Sequence, residues 1–297
     1  METQDKKKVL ICGDSNSLGE WGTVVPGPAC ANNDDPEIFR PYNKEQYTHE
    51  PHAKPFNVVW PGFGYYLDLK GHCTVNYSIG GGTNTEAIFK VEEALGLAPP
   101  FTSPVFYNPD VIIFMLTEPV RDLGPPRWPA EAGLKDLEKY YIQRDEAVQQ
   151  ATGIKDLNDR LLKIVFDGAQ KIYDETKIPW IIIEGWGKCP DVSNYTFIKH
   201  IHKDWMSKLL GHDIPLMSSW PTINLLRRAR PDLADSSATK FLQKNLPIDV
   251  KETEFKKIVD EYEKTIETMQ AHKDFPDNCH PNRHIHKLLA EEIERYV

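Results

Sequence analysis

Short apolar runs alternate along the chain with longer segments in which apolar residues recur every three or four positions. The runs are apolar on both faces and predict buried strands, whereas the recurring pattern predicts amphipathic helices. Strands that alternate with helices are typical of a mostly parallel sheet covered on both sides. The predicted strands are residues 9–12, 74–77, 111–116, 180–183 and 214–217. The predicted helices are residues 62–69, 85–97, 155–176, 253–272 and 284–296.

Three polar stretches interrupt this alternation, at about residues 24–56, 119–150 and 186–246. Loops of this length inside a compact domain are usually lids or binding loops. Each stretch follows a predicted strand, so all three should emerge at the sheet edge where open α/β sheets bind ligands. The alternative is that they form oligomer contacts or are simple insertions. The sequence therefore predicts one domain over residues 1–297 with three loop insertions.

The composition narrows the classes of partner. The chain has 297 residues, of which 40% are hydrophobic, and a formal net charge of −9. An acidic surface argues against nucleic acid and against anionic membranes as partners. The basic run Lys6-Lys7-Lys8 precedes four apolar residues, too few for a signal peptide or a membrane span. We therefore expect a protein that is cytoplasmic or otherwise soluble and is made without a Sec signal peptide. A bacterial or phage source is a hypothesis that fits this expectation. The five cysteines, without CxxC spacing, fit reduced thiols.

Candidate chemistry lies at both ends of the chain. The sequence Gly13-Asp14-Ser15 follows the first predicted strand, and a serine on such a turn exposes its Oγ beside backbone N–H groups. Asp277 and His280, three residues apart before the last helix, can turn back on each other. The carboxylate would then orient the imidazole, which would take the proton of Ser15. Each motif alone also suits ordinary turn or helix-cap residues, and both interpretations stay open.

Taken together, the two motifs and the strand–helix pattern between them resemble the SGNH hydrolase superfamily, also called GDSL esterases and lipases. The resemblance implies a three-layer α/β/α sandwich with a short, mostly parallel sheet of flavodoxin-like type. It implies Ser15 as nucleophile, His280 as general base and Asp277 as its orienting acid. The family places an oxyanion-hole glycine five residues after an asparagine such as Asn76, which implies that the backbone N–H groups of Ser15 and Gly81 hold the oxyanion.

The segment after the third predicted strand departs from this family. Where the family usually carries Gly-x-Asn-Asp, with the asparagine as third oxyanion donor, this chain reads Thr117-Glu118-Pro119-Val120-Arg121-Asp122. Three interpretations stay open. Arg121 enters the site as a charged donor, or Glu118 orients another group while two backbone donors suffice, or the domain binds its ligand with little turnover. Arg121 could also pair with Glu118 or Asp122 on the surface.

Other clusters of chemistry-bearing residues are less specific. His280, His284 and His286 do not form a His-Glu-x-x-His motif, so we expect no metal and no other cofactor. Helix-face positions near solvent account for these histidines, and His200 and His202, in a charged stretch, are also expected to be solvated.

The sequence favours a serine esterase that removes a short acyl group, best an acetyl group, from a polar carrier such as a glycan. The long loops are polar and carry aromatic residues, which suits a small-molecule or glycan ester more than a lipid. A weakly active or inactive domain that recognises glycans is the alternative from another functional class. A lipase or a thioesterase is the third option.

Overall fold

The computed structural model describes residues 6–14, 17, 19–21, 58–79, 82–97, 108–123, 134–185, 189–205, 208 and 281–297. The described strands are β1 (Lys8–Cys12), β2 (Gly19–Trp21), β3 (Val58–Pro61), β4 (Cys73–Asn76), β5 (Val111–Leu116), β6 (Trp180–Glu184) and β7 (Ile198–His202). The described helices are α1 (Phe63–Leu69), α2 (Asn84–Ala94), α3 (Leu134–Gln150), α4 (Ile154–Thr176) and α5 (Arg283–Ile293), with a 3-10 helix at Pro119–Leu123.

Five strands form one parallel sheet in the order β4-β1-β5-β6-β7. The chain moves from β1 to one neighbour, β4, and then crosses to the other neighbour, β5. Such a reversal of direction is a topological switch point, beyond whose carboxyl strand ends ligands bind in open α/β sheets. Strands β2 and β3 pair antiparallel in a separate two-stranded ribbon. The predicted α/β fold with a mostly parallel sheet is confirmed.

Helices cover both faces of the sheet. Val9 and Ile11 of β1 belong to a core shared with α1 and α5, whereas Leu10 and Cys12 belong to a second core shared with α2 and α4. This division follows from the strand geometry, because successive side chains point to opposite faces. Every residue of β5 and β6 is buried, as expected for central strands with helices on either side. The predicted three-layer α/β/α arrangement is therefore confirmed.

Two elements lie where the sequence predicts loops. Residues 134–150 form α3, a mostly polar helix that packs on α4. The apolar positions of this helix are few among its charged residues, so the apolar pattern does not reveal it in the sequence. Its Lys, Glu, Gln and Arg residues nevertheless favour helix formation. Residues 198–202 form the strand β7, which pairs with β6. The predicted strand at 214–217, the helix at 253–272 and the stretch at 24–56 lie outside the described residues.

The strand β7 corrects the expectation that His200 and His202 are solvated. Both side chains are half-buried, and the ring of His200 stacks on Tyr296 with 3.4 Å between the ring centroids. Burial lowers the pKa of both histidines, because the charged imidazolium is poorly solvated there. None of the described helices combines the length and the apolar character needed to cross a membrane.

The core beneath the sheet can be tested on one helix. Leu67 and Leu69 both lie on α1, but Leu67 is 0% exposed in the core and Leu69 is 66% exposed. We expect Leu67→Ala to lower the free energy of unfolding by about 2–5 kcal/mol, because it removes buried methyl groups and leaves a cavity. Leu69→Ala is the matched control and should change it by less than about 0.5 kcal/mol. Urea denaturation measures both, and equal effects would contradict the described packing.

Candidate active site

The chain leaves β1 through a tight turn that requires a glycine. Gly13 has φ +151°, and a Cβ at this position would lie 2.7 Å from Ser17 Oγ and 2.8 Å from the carbonyl oxygen of Met115. The backbone N–H and the hydroxyl of Ser17 both donate to the carbonyl of Asp14, at 3.2 and 2.7 Å. Asp14 and Ser17 are thus held close together. Ser15, between them in sequence, lies outside the described residues.

This turn is bonded to the segment that follows β4. The side-chain amide of Asn76 donates to the carbonyl of Ser17 at 2.9 Å, and the N–H of Ile79 donates to the carbonyl of Gly13 at 3.0 Å. The hydroxyls of Ser17 and Ser78 are hydrogen-bonded at 2.7 Å. The residues on either side of Ser15 are therefore fixed against the residues that precede Gly81. Gly81 itself lies outside the described residues.

The start of α2 fixes the segment after β5. The side-chain amide of Asn84 donates to the carbonyl of Thr117 at 3.0 Å, and its oxygen accepts from the N–H of Thr117 at 2.9 Å. The next residue of α2, Thr85, donates from its N–H to Oδ1 of Asp122 in the 3-10 helix at 3.0 Å. A buried amide that both donates to and accepts from one residue acts as a clamp on its backbone. Residues 117–122, which follow β5, are therefore rigidly held.

Asp14, Glu118 and Arg121 form a buried charge cluster at this edge of the sheet. The hydroxyl of Thr117 donates to Asp14 Oδ2 at 2.7 Å, and Arg121 Nη1 lies 3.5 Å from the same oxygen. Arg121 Nε pairs with Glu118 Oε2. Asp14 and Glu118 are fully buried, and the side chain of Arg121 is 17% exposed. The predicted pairing of Arg121 with Glu118 is confirmed, but it lies inside the protein and not on its surface.

Burial dominates the electrostatics of this edge. It raises the pKa of Glu118, with the neighbouring Asp14 acting in the same direction and the cation of Arg121 opposing it. One oxygen of Glu118, Oε1, is buried and has no hydrogen-bond partner in the part of the chain that the structure describes. Burial also raises the pKa of Asp122 to about 6, although hydrogen bonds from Thr85 oppose the shift. Both carboxyl groups therefore hold protons more readily than exposed ones do.

The first turn of α5 lies near the C-terminal half of β1. The ring of His286 stacks on Phe63 at 6.4 Å between centroids, and Phe63 begins α1. The next residue of α1, Gly64, approaches β1 so closely that a Cβ would lie 2.7 Å from Ile11 Cδ1. His286 is fully buried in this contact, which corrects the expectation of a solvated histidine. His284, in contrast, is exposed as expected.

The segment before α5 carries the two remaining candidates. Asn282 caps the helix, because its side-chain oxygen accepts from the N–H of Ile285 at 3.1 Å, and Pro281 before it is buried. Asp277 and His280 directly precede Pro281 and lie outside the described residues. At its other end α5 is joined to α1 by an ion pair between Glu294 and Lys70. The helix is therefore held at both ends against α1.

Sequence reasoning missed several residues that build this edge. It did not assign roles to the carboxylate of Asp14, to Thr117 or to the Asn84 clamp. It also missed Glu184, at the end of β6, whose two oxygens accept from the N–H groups of Cys189 at 2.8 Å and Asp204 at 2.9 Å. The available signal was a polar residue directly after, or at the end of, a buried strand. In the described part of the chain, no cluster of three or more His, Cys, Asp or Glu side chains is placed to hold a metal ion.

Two solved structures are similar to this chain along most of its length. One is a carbohydrate esterase family 2 enzyme with a carbohydrate-binding domain from Corynascus thermopiles (Myceliophthora fergusii), with 12% identity and a TM-score of 0.33. The similarity covers 98% of this chain, which spans 65% of that one. The other, described as a GDSL-like lipase from Parabacteroides merdae, has 11% identity and a TM-score of 0.35 over 99% of this chain and 98% of that one. No family model and no curated protein matches the chain.

The raised pKa of Asp122 predicts how the stability of the protein depends on pH. An acid whose folded-state pKa is about 6, against 3.8 ordinarily, favours the folded state below pH 4, and this contribution is lost as pH rises through 6. The substitution Asp122→Asn keeps an oxygen that can accept from the N–H of Thr85, but its amide side chain cannot ionise.

We expect the free energy of unfolding of the wild type to fall relative to Asp122→Asn by about 2 kcal/mol between pH 4 and pH 7. Urea denaturation of both proteins across this range measures the difference. A difference that does not change with pH would show that Asp122 titrates as an exposed carboxyl group does.

Proposed function

We propose that this protein is a serine esterase that removes a short acyl group, best an acetyl group, from a polar carrier such as a glycan. The observation that carries the proposal is the convergence of three turns near the C-terminal ends of β1, β4 and β5. The turns after β1 and β4 flank the positions of Ser15 and Gly81 in the sequence, whereas Asp277 and His280 directly precede α5, whose first turn lies near β1.

The hydrogen bonds of the first two turns support Ser15 and Gly81 as parts of one site. Gly13 and Ser17, on either side of Ser15, are bonded to Ile79, Asn76 and Ser78. Ile79 lies two residues before Gly81 in the sequence. A nucleophile and an oxyanion donor must be held close together in a fixed geometry, and hydrogen bonds between the residues that flank Ser15 and those that precede Gly81 support such an arrangement.

The start of α5 supports His280 and Asp277 as the other half of the site. The stacking of His286 on Phe63 keeps this end of the helix beside β1, the strand that leads to Ser15. The buried Pro281 and the helix cap at Asn282 fix the chain directly after His280. A histidine with an ordinary pKa near ~6.5 can act as a base around neutral pH.

The reaction then proceeds through an acyl-enzyme. Ser15 Oγ attacks the acyl carbon as His280 takes the hydroxyl proton, and Asp277 stabilises the imidazolium. The backbone N–H groups of Ser15 and Gly81 hold the oxyanion while the C–O bond to the alcohol breaks, and His280 returns the proton to the leaving alcohol. A water molecule, deprotonated by His280, attacks the acyl carbon and releases the acid. Ser15 regains its proton at the end of the cycle.

The nucleophile can be tested directly. We expect Ser15→Ala to abolish hydrolysis of acetyl esters and covalent labelling by a fluorophosphonate probe, because the substitution removes the hydroxyl that the proposal makes the nucleophile. Ser193→Ala, at an exposed serine, is the control and should leave both unchanged. Mass spectrometry of the labelled peptide locates the adduct. Folded wild type that is not labelled would favour a glycan-recognition domain with little turnover, and unchanged turnover in Ser15→Ala would exclude Ser15 as nucleophile.

The acyl group can be tested with p-nitrophenyl esters of increasing chain length, followed by acetylated glycans. We expect kcat/KM to be highest for the acetyl ester and at least about tenfold lower for the octanoyl ester. A single methylene group that does not fit an acyl pocket already costs about 1–3 kcal/mol of transition-state binding. Acetate release from a glycan would identify the carrier class. A preference that rises with chain length would contradict the proposal and indicate a lipase or a thioesterase.

A further inference from the structure

The buried charge cluster contains two carboxyl groups and one guanidinium. Asp14 Oδ2 accepts from the Thr117 hydroxyl at 2.7 Å and lies 3.5 Å from Arg121 Nη1. Glu118 Oε2 pairs with Arg121 Nε and lies 3.1 Å from the same hydroxyl. Among the described residues, the charged groups that face Glu118 are Asp14, from the turn after β1, and Arg121, from the 3-10 helix. Two carboxyl groups that are buried side by side favour the uptake of a proton by one of them, because each makes the ionised form of the other less favourable.

Glu118 is the better place for that proton. Its Oε1 is buried, and no described residue is hydrogen-bonded to it. An ionised oxygen without a donor in a dry site is strongly disfavoured, and a protonated oxygen without an acceptor costs much less. Burial raises the pKa of this carboxyl group more than the cation of Arg121 lowers it. Asp14, in contrast, has the short hydrogen bond from Thr117 that an ionised oxygen favours.

The contacts also indicate which oxygen carries the proton. Arg121 Nε donates to Glu118 Oε2, and the Thr117 hydroxyl adds a longer, shared contact to the same oxygen. Oε2 is therefore the accepting oxygen of the acid, and the proton belongs on Oε1. An O–H group at Oε1 is then a buried donor without an acceptor. Orphaned buried polar groups are rare in native proteins, and a ligand is one reason for them.

We propose that Glu118, in its protonated form, donates from Oε1 to the oxyanion of the substrate and so supplies the third oxyanion donor of this esterase. The residue follows β5 at the topological switch point, and Thr117 joins it to Asp14, the neighbour of Ser15. A carboxylic acid kept neutral by an apolar site can donate in this way. The inference rests on the proposed function, and it gives Glu118 the donor role that a side-chain amide has in the related family.

The test compares two substitutions. Glu118→Gln retains an oxygen that can accept from Arg121 and places an amide donor at the position of Oε1. We expect it to keep most of the kcat of the wild type for p-nitrophenyl acetate. Glu118→Ala removes the donor and should lower kcat by about 10²–10³-fold with little change in KM. A loss in Glu118→Gln as large as that in Glu118→Ala, or full activity in Glu118→Ala, would overturn the proposal.

The pH profile separates donation from a purely structural role. The activity of the wild type should fall at alkaline pH as Glu118 loses its proton, and this fall should be absent in Glu118→Gln, whose amide cannot ionise. Glu184→Gln is the matched control, because Glu184 is also a buried carboxyl group at a strand end, with both oxygens bonded to backbone N–H groups. Its profile should retain the alkaline fall. An alkaline fall that persists unchanged in Glu118→Gln would contradict the proposal.

A direct measurement does not depend on activity. The infrared difference spectrum between wild type and Glu118→Gln at neutral pH should contain the carbonyl band of a protonated carboxyl group, and its absence would overturn the proposal. Fluorophosphonate labelling of wild-type Ser15 tests the proposed esterase function separately from the role of Glu118. Without labelling or turnover, the proposed esterase function fails. With labelling and turnover but unaffected Glu118 variants, this inference alone fails.

Discussion

The buried carboxylate of Asp14 is the constraint on which the functional edge of this sheet depends. The main-chain carbonyl of Asp14 accepts from Ser17 and closes the turn. The carboxylate accepts a hydrogen bond from the hydroxyl of Thr117 and lies beside the guanidinium of Arg121. A carboxylate without water is tolerated only where charged and hydrogen-bonding partners replace the solvent. The turns after β1 and β5 are therefore tied to one relative position, since any separation would break the hydrogen bond from Thr117 and move the guanidinium of Arg121 away from the carboxylate.

Most of the fold could be predicted from the sequence because its central strands are apolar on both faces. The run of residues 111–116 is apolar throughout and coincides with β5. Edge elements are harder to predict, because one side of them is polar. The strand β7 carries Lys199, His200 and His202 among its five residues, and the polar helix α3 buries little more than one side. In both cases tertiary contacts stabilise an element that the local apolar pattern does not reveal.

The site could be predicted only where a single position carries the signal. Gly13 is such a position, since its backbone conformation and the close approach of Met115 both exclude a side chain. The Asn84 clamp joins residues 33 apart in the sequence, and neither partner has a distinctive local pattern. The burial of Glu118 and Arg121 could not be read from their neighbours either. It follows from the placement of Thr117 by α2, which brings the next residue under the turn that contains Asp14.

Two buried glutamates, at or just after the ends of the neighbouring strands β6 and β5, differ in their hydrogen bonds. Glu184, the last residue of β6, accepts with both oxygens from backbone N–H groups of the loops that follow β6 and β7, so its hydrogen bonds stabilise the fold. Glu118, after β5, uses one oxygen within the charge cluster, and its other oxygen has no hydrogen-bond partner among the described residues. The same buried side chain thus has a structural role at one strand end and an unused donor or acceptor at the other. Glu118 follows a strand at the switch point of the sheet, which is the place where open α/β sheets bind ligands.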